Sequence, residues 1–275
     1  MRSIALSPRS DSRTPKSPCY EPLLDTSHKT TVNRKTMNNQ FREIIKVRVG
    51  SHCHGTNMPE SDTDIRSVFI PTKDYFLGLK TCEMVQDKQE GKDIEQWNIG
   101  KLIRLCLKGN PTALNVLFVR KVDQLFKDEY GEQIYSIRNE FLSKRTISAI
   151  IGYCVSQIHR LTIGRGAKEG KRSEMIEKYG YDVKFVYHAV MLTNMGLELV
   201  KTGDYRPYRS VGEQNYLRSI RRGEVPIEDA RFKIEENLKT IKTIESICPL
   251  PKDPDEEKIN EWLTNFLWDY YKTNA

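Results

Sequence analysis

The chain has 275 residues, 38% of them hydrophobic, enough for one large domain or two modest ones around a real core. No apolar run reaches the length of a membrane span, and six cysteines scattered at 19, 53, 82, 106, 154 and 248 argue against a zinc framework or disulfide scaffold and for a reducing, cytoplasmic setting. The net charge is +7, but seven basic and three acidic residues in the first forty supply +4 of it, so the pI near 9 is no argument for strong nucleic-acid binding by the foldable part.

Those first forty residues are rich in Ser, Thr, Pro and basic side chains, with no hydrophobic periodicity and no signal-peptide core. They are expected to form a disordered basic tail, residues 1–40, and Met37 is a candidate alternative start directly before the foldable sequence. Ile44 to Val49 is β-branched like a buried strand and ends at Gly50, where a sharp turn is accessible. His52 to Ser61 (HCHGTNMPES) has turn chemistry, which places Ser51 on a strand-to-loop exit, and Asp64 to Ile70 reads as a second strand.

Asp62 and Asp64 are two apart at the start of that strand, so their side chains share a face with Cα atoms about 7 Å apart. Magnesium takes hard oxygen ligands and keeps substrate phosphates among them, so two such carboxylates suit a metal-bound nucleoside triphosphate. Gly50 allows close backbone approach, and the Ser51 hydroxyl with neighbouring N–H groups is a candidate phosphate cradle. Cys82 to Gln86 resembles a strand, and after the polar turn DKQEGK a further strand is expected over Asp93 to Trp97. Asp93 and Glu95 share a face there, and either qualifies as a third acid. His52, Cys53 and His54 are adjacent and cannot easily all ligate one ion, so they are expected to line the loop beside Ser51.

Ile99, Leu102, Ile103 and Cys106 recur at helical spacing and predict a packed helix. Asn110-Pro111 suits the cap and first position of another, whose Leu114, Leu117 and Phe118 belong to the core. Beyond residue 125 the pattern is helical, with helices expected over Ile134–Leu161, Asp182–Thr202, Ile227–Ile247 and Asp255–Tyr271. The last carries a stripe of Ile259, Trp262, Leu263, Phe266, Leu267 and Tyr270, expected to dock on the protein's own core. Lys184 and His188 lie four apart on one helical face, where a cation and an imidazole can meet phosphate or base. Arg165, Lys168, Lys171 and Arg172 sit in a basic loop (GRGAKEGKR) suited to closing over phosphate or nucleic acid.

Gly50-Ser51, Asp62-x-Asp64 with Ile65-Arg66-Ser67-Val68-Phe69, Tyr75-Phe76-Leu77-Gly78-Leu79, Asp93-Ile94-Glu95-Gln96-Trp97 and Lys108-Gly109-Asn110-Pro111-Thr112 together resemble the polymerase-beta-like nucleotidyltransferases. More narrowly they are similar to predicted members of bacteria and phages associated with RNA repair, and the resemblance continues through Tyr181-Asp182-Val183-Lys184, His188 and Leu199-Val200-Lys201-Thr202-Gly203. It implies an α+β fold: a small mixed β-sheet catalytic domain with flanking helices at 41–125, then a helical domain at 126–275. It also implies that Asp62, Asp64 and Asp93 hold two Mg2+ ions, Asp93 occupying the family's aspartate position in Asp-Ile-x-x-Trp. Gly50, Ser51, Lys184 and His188 are the implied nucleotide-binding residues. The implied activity moves a nucleoside monophosphate from a triphosphate to a hydroxyl, with an RNA 3′ end as the favoured acceptor. A protein hydroxyl is the alternative acceptor, and a non-catalytic nucleotide- or nucleic-acid-binding module the alternative from another class. Asn115 departs from the pattern, which has an acid in the helix after Asn-Pro.

Overall fold

A computed structural model describes residues 41–89, 91–162 and 171–274. The tail at 1–40 with Met37, and Arg165 and Lys168 of the basic loop, lie outside these residues; Lys171 and Arg172 open a helix.

The strands are β1 (Phe41–Arg48), β2 (Thr63–Pro71), β3 (Met84–Gln89), β4 (Lys92–Asn98) and β5 (Gln124–Lys127). They form one sheet in the order β3-β4-β2-β1-β5, in which only β2 and β4 run parallel. The helices are α1 (Gly50–His54), α2 (Lys73–Phe76), α3 (Ile99–Leu107), α4 (Pro111–Phe118), α5 (Glu129–Ser136), α6 (Lys144–Thr162), α7 (Lys171–Tyr179), α8 (Val183–Thr202), α9 (Val211–Arg221), α10 (Ile227–Ile244) and α11 (Glu256–Thr273). The molecule is thus α+β with a helical C-terminal part.

Strand alternation gives β2 two different faces. Val68 and Ile70 join the main core under the helices, whereas Phe69 joins a small second cluster with Cys82 and Val85, closed by Phe41 stacked on Phe69 at 4.6 Å. β5 spans the expected boundary at residue 125 and pairs with β1, and Ile134, Phe141 and Ile147 share one core with the sheet residues Ile45, Val47 and Val68. α8 is apolar on nearly every side, as a central helix must be. Its start is capped by Asp182, whose carboxylate accepts from the N–H groups of Lys184 and Phe185, and its end by Gly203 in the left-handed region. The Asn110 cap and first-turn Pro111 of α4 match expectation as well.

Two expectations are corrected. His52–Ser61 is not all loop: Gly50–His54 makes one turn of helix, closed by Gly55, because Cys53 and His54 are drawn into the core and bury that turn. Ser51 therefore sits in a helical turn rather than on a strand exit. The helix expected over Ile134–Leu161 is interrupted, since Phe141 and the extended Leu142 both turn inward before α6 starts at Lys144, whose N–H donates to the Pro251 carbonyl at 2.8 Å.

The α11 stripe docks inward as its spacing predicts: Ile259, Phe266 and Leu267 are buried, and Trp262, Leu263 and Tyr270 pack against the same core. The Phe266 ring meets Trp262 and Tyr130, and Tyr271 donates to the Pro71 carbonyl at the end of β2. Phe266→Ala is expected to cost roughly 3–5 kcal/mol in urea denaturation. Trp268→Ala, on the same helix but 72% exposed, is expected to stay within about 0.5 kcal/mol of wild type.

Candidate active site

The parallel ladder aligns Asp64 with Asp93, Arg66 with Glu95, and Val68 with Trp97. In a parallel pair, residues in register point to the same side, so one face of β2 and β4 passes from two carboxylates through an ion pair into the core within five residues. Asp62 is exposed and lies just outside the strand, immediately before its first residue Thr63. The structure therefore brings Asp64 and Asp93 side by side. Glu95 is one layer deeper and committed to Arg66, whose guanidinium also lies 4.4 Å over the Trp97 ring.

Electrostatics tie the acids together. The Asp64 carboxyl is held above the usual aspartate range, first by burial, then by the Asp93 charge and more weakly by Asp62; Arg66 and His52 pull the other way. Burial lowers the Arg66 pKa to about 10, against the attraction of Asp64 and Asp93. Asp93 Oδ1 is buried with no hydrogen-bond partner, and so are His52 Nε2 and Trp97 Nε1. Buried polar atoms without partners are costly, and a bound ligand is one way such atoms are satisfied. An orphaned carboxylate oxygen beside a carboxylate that resists ionisation fits a hard cation in chemistry. Among the described residues no three His, Cys, Asp or Glu side chains gather closely enough to hold a metal by themselves. The acids thus fit magnesium in donor type without forming a closed cage, and magnesium completes its shell with water and phosphate oxygens.

Gly50 sits against these acids with φ +61, and a Cβ built on it would fall 2.0 Å from Asp64 Oδ2. Val49 N–H donates to the Asp64 carbonyl at 2.9 Å, so the turn carrying Ser51 is stitched to the acid strand. Lys184 and His188 are near the start of α8; Lys184 is exposed, and His188 is half-buried beside Tyr187 and near enough to His54 to lower its pKa. α8 reaches the site loop through Tyr187, whose hydroxyl is 2.5 Å from Thr56 Oγ1. The Asn115 side chain is buried and accepts from the Tyr205 hydroxyl at 2.9 Å, so it packs a helix.

His52 and His54 divide sharply. His54 is fully buried, donates from Nδ1 to the Pro207 carbonyl at 2.9 Å, and has its pKa pushed down to about 4, chiefly by burial, which keeps it neutral. His52 faces the acids, and its position directly after Ser51 was the signal available for it. Arg218 and Arg221, which bond to the loop before Asp62, carry no such local signal because they lie about 160 residues further along the chain.

Among the described residues no helix is long and apolar enough to cross a membrane. Two curated relatives match part of the chain. An uncharacterized 38.9 kDa protein from the nrdC-mobD intergenic region of Enterobacteria phage T4 is 29% identical over 86 residues, covering 28% of this chain and 26% of that protein. The uncharacterized protein YcgL of Bacillus subtilis is 27% identical over 101 residues, 35% of this chain and 38% of its own. The chain thus spans well under half the length of both. A crystal structure of a nucleotidyltransferase-like protein from Exiguobacterium sibiricum superposes over 76% of this chain and 69% of its own, at 12% identity and a TM-score of 0.30, too loosely to compare sites. The family model for the RNA repair pathway DNA polymerase beta family matches residues 25–215, most of the chain and all of the acids described above, and the protein belongs to that family.

Proposed function

We propose that this protein is a metal-dependent nucleotidyltransferase that moves a nucleoside monophosphate from a nucleoside triphosphate to a hydroxyl, releasing pyrophosphate. Membership of the family supports a nucleotidyltransferase role, and the RNA repair pathway in its description favours an RNA 3′ end as acceptor. One observation carries the proposal furthest: Asp64 and Asp93 stand in register on adjacent parallel strands, with Asp93 Oδ1 buried and unpartnered.

Asp62, Asp64 and Asp93 would hold Mg2+, which when bound supplies charge neutralisation for the phosphates and acidifies the acceptor hydroxyl. Gly50, with no Cβ to strike Asp64, would let backbone N–H groups approach the phosphates beside the carboxylates, and the Ser51 hydroxyl would donate to a terminal phosphate. Arg66 holds Glu95 away from the acids and presents positive charge behind Asp64 and Asp93. Lys184 and His188, on the helix that touches the site loop through Tyr187, are assigned to the far side of the nucleotide or to the acceptor.

The test incubates the protein with Mg2+, each labelled ribonucleoside triphosphate and a mixed RNA pool, beside the Asp62→Asn/Asp64→Asn variant, following pyrophosphate and label together. Pyrophosphate release that the variant loses, with label on RNA, is the expected result. Label on protein would replace the acceptor, and no release from folded protein with any of the four triphosphates would refute transfer to RNA.

A further inference from the structure

Asp62 poses a problem of placement. It is exposed and outside β2, so the strand ladder that positions Asp64 and Asp93 does not hold it. What precedes it is a compact loop. Ser61 N–H donates to the Met58 carbonyl and Met58 N–H to Ser61 Oγ, both at 2.9 Å, which closes residues 58–61 into a tight turn. Thr56, at the other end, is fully buried.

Both ends are gripped by α9. Arg221 donates from Nη1 to the Thr56 carbonyl at 3.0 Å and from Nη2 to Ser61 Oγ at 3.4 Å, bridging the loop immediately before Asp62. Arg218, one turn earlier on the same face, donates to the Gly55 carbonyl. The Arg221 guanidinium is further fixed 5.6 Å from the Tyr187 ring, whose hydroxyl meets Thr56. A planar fork with several donors can join two acceptors in this way, whereas a lysine offers a single centre.

We infer that Arg221, supported by Arg218, is a positioning residue for Asp62: it sets the loop between the phosphate turn and the first acid, making the helical C-terminal part a component of the metal site. This inference rests on the proposed transferase reading, in which Asp62 is a metal ligand. Charge on Arg221 is not its point of action; the geometry of the bridge is.

The experiment compares full-length Arg221→Ala, Arg221→Lys and Asp62→Asn with wild type, measuring kcat, the triphosphate KM and the Mg2+ concentration for half-maximal rate. Amide exchange of residues 55–62 is followed in the ligand-free proteins. Arg221→Ala is expected to lower kcat and raise the Mg2+ requirement, with a combined loss on the order of 10- to 100-fold, because an ångström of misplacement is costly in a preorganised site. The triphosphate KM should move less, exchange of the loop should quicken, and millimolar guanidinium should restore part of the rate to Arg221→Ala. Arg221→Lys should behave like the alanine variant without rescue, and it carries the test if Arg221→Ala fails to fold. An unchanged Mg2+ requirement and unchanged loop exchange in the Arg221 variants, with Asp62→Asn inactive, overturns the inference alone. Full activity in Asp62→Asn overturns the reading beneath it.

Discussion

Asp64→Asn is expected to remove nucleotidyl transfer while leaving the ligand-free protein at least as stable as wild type at neutral pH. Burial, then Asp93, then Asp62 hold the Asp64 carboxyl above its ordinary range, so the folded protein keeps a proton there that the unfolded chain has released. Between the unfolded and the raised folded pKa the folded state binds more protons. Stability therefore falls as pH climbs through that window and stays lowered above it. An amide of the same shape escapes the penalty. Thermal melts in the absence of divalent ions should show the variant matching wild type in acid and rising relative to it as pH increases through the window. Activity runs the other way, since the charge that destabilises the empty site is the one that would bind metal, and its loss should cost on the order of 100- to 1,000-fold or more. Mg2+ with a triphosphate should raise the melting temperature of wild type and not of the variant. A variant that melts well below wild type at neutral pH would make Asp64 a structural anchor and sink the assignment.

Much of this site is written in local pattern, and the remainder in pairing. The Asn110, Asp182 and Gly203 caps follow from which residues satisfy helix ends, whereas the strand face expected for Asp62-x-Asp64 holds only from Asp64, because β2 starts at Thr63 and leaves Asp62 in the preceding loop. Asp93 and Glu95 are indistinguishable by the same rule, being two apart on one strand. The family resemblance favours Asp93, and the parallel register, which aligns Asp93 with Asp64 and pairs Glu95 with Arg66, supports the same choice; register between strands about thirty residues apart is a property of the folded sheet. α1 hides in turn-forming composition because its five residues are held by the burial of Cys53 and His54 rather than by propensity. β5 is four residues long with Leu125 and Phe126 both exposed, so it lacks the alternation that marks a strand, and its pairing with β1 alone defines it. The arginines of α9 are illegible for the reason that makes them informative: they reach the acid loop across about 160 residues of chain.

Gly50→Ala is expected to disable the site from a position with no chemistry of its own. Its φ of +61 lies in the left-handed region, where a Cβ costs roughly 1–2 kcal/mol. The greater effect is steric: that Cβ would sit 2.0 Å from Asp64 Oδ2, 2.9 Å from its Cγ and 3.1 Å from its Cβ, so the carboxylate must swing away or β1 and β2 must part. Parting is resisted by the antiparallel ladder of β1 and β2 and by the Val49 N–H bond to the Asp64 carbonyl. The carboxylate should therefore yield, and the variant should fold with a stability loss of about 2–5 kcal/mol, the sum of backbone strain and overpacking. Transfer activity should fall nearly as far as in Asp64→Asn. Gly152→Ala is the matched control: it lies within α6 with nothing inside 4 Å of the added carbon, and should gain about 0.5–1 kcal/mol with activity untouched. Urea denaturation and pyrophosphate release measured on both variants decide the matter. An active Gly50→Ala protein would mean that the Asp64 carboxylate does not need the orientation seen beside Gly50, which would remove it from the centre of the chemistry.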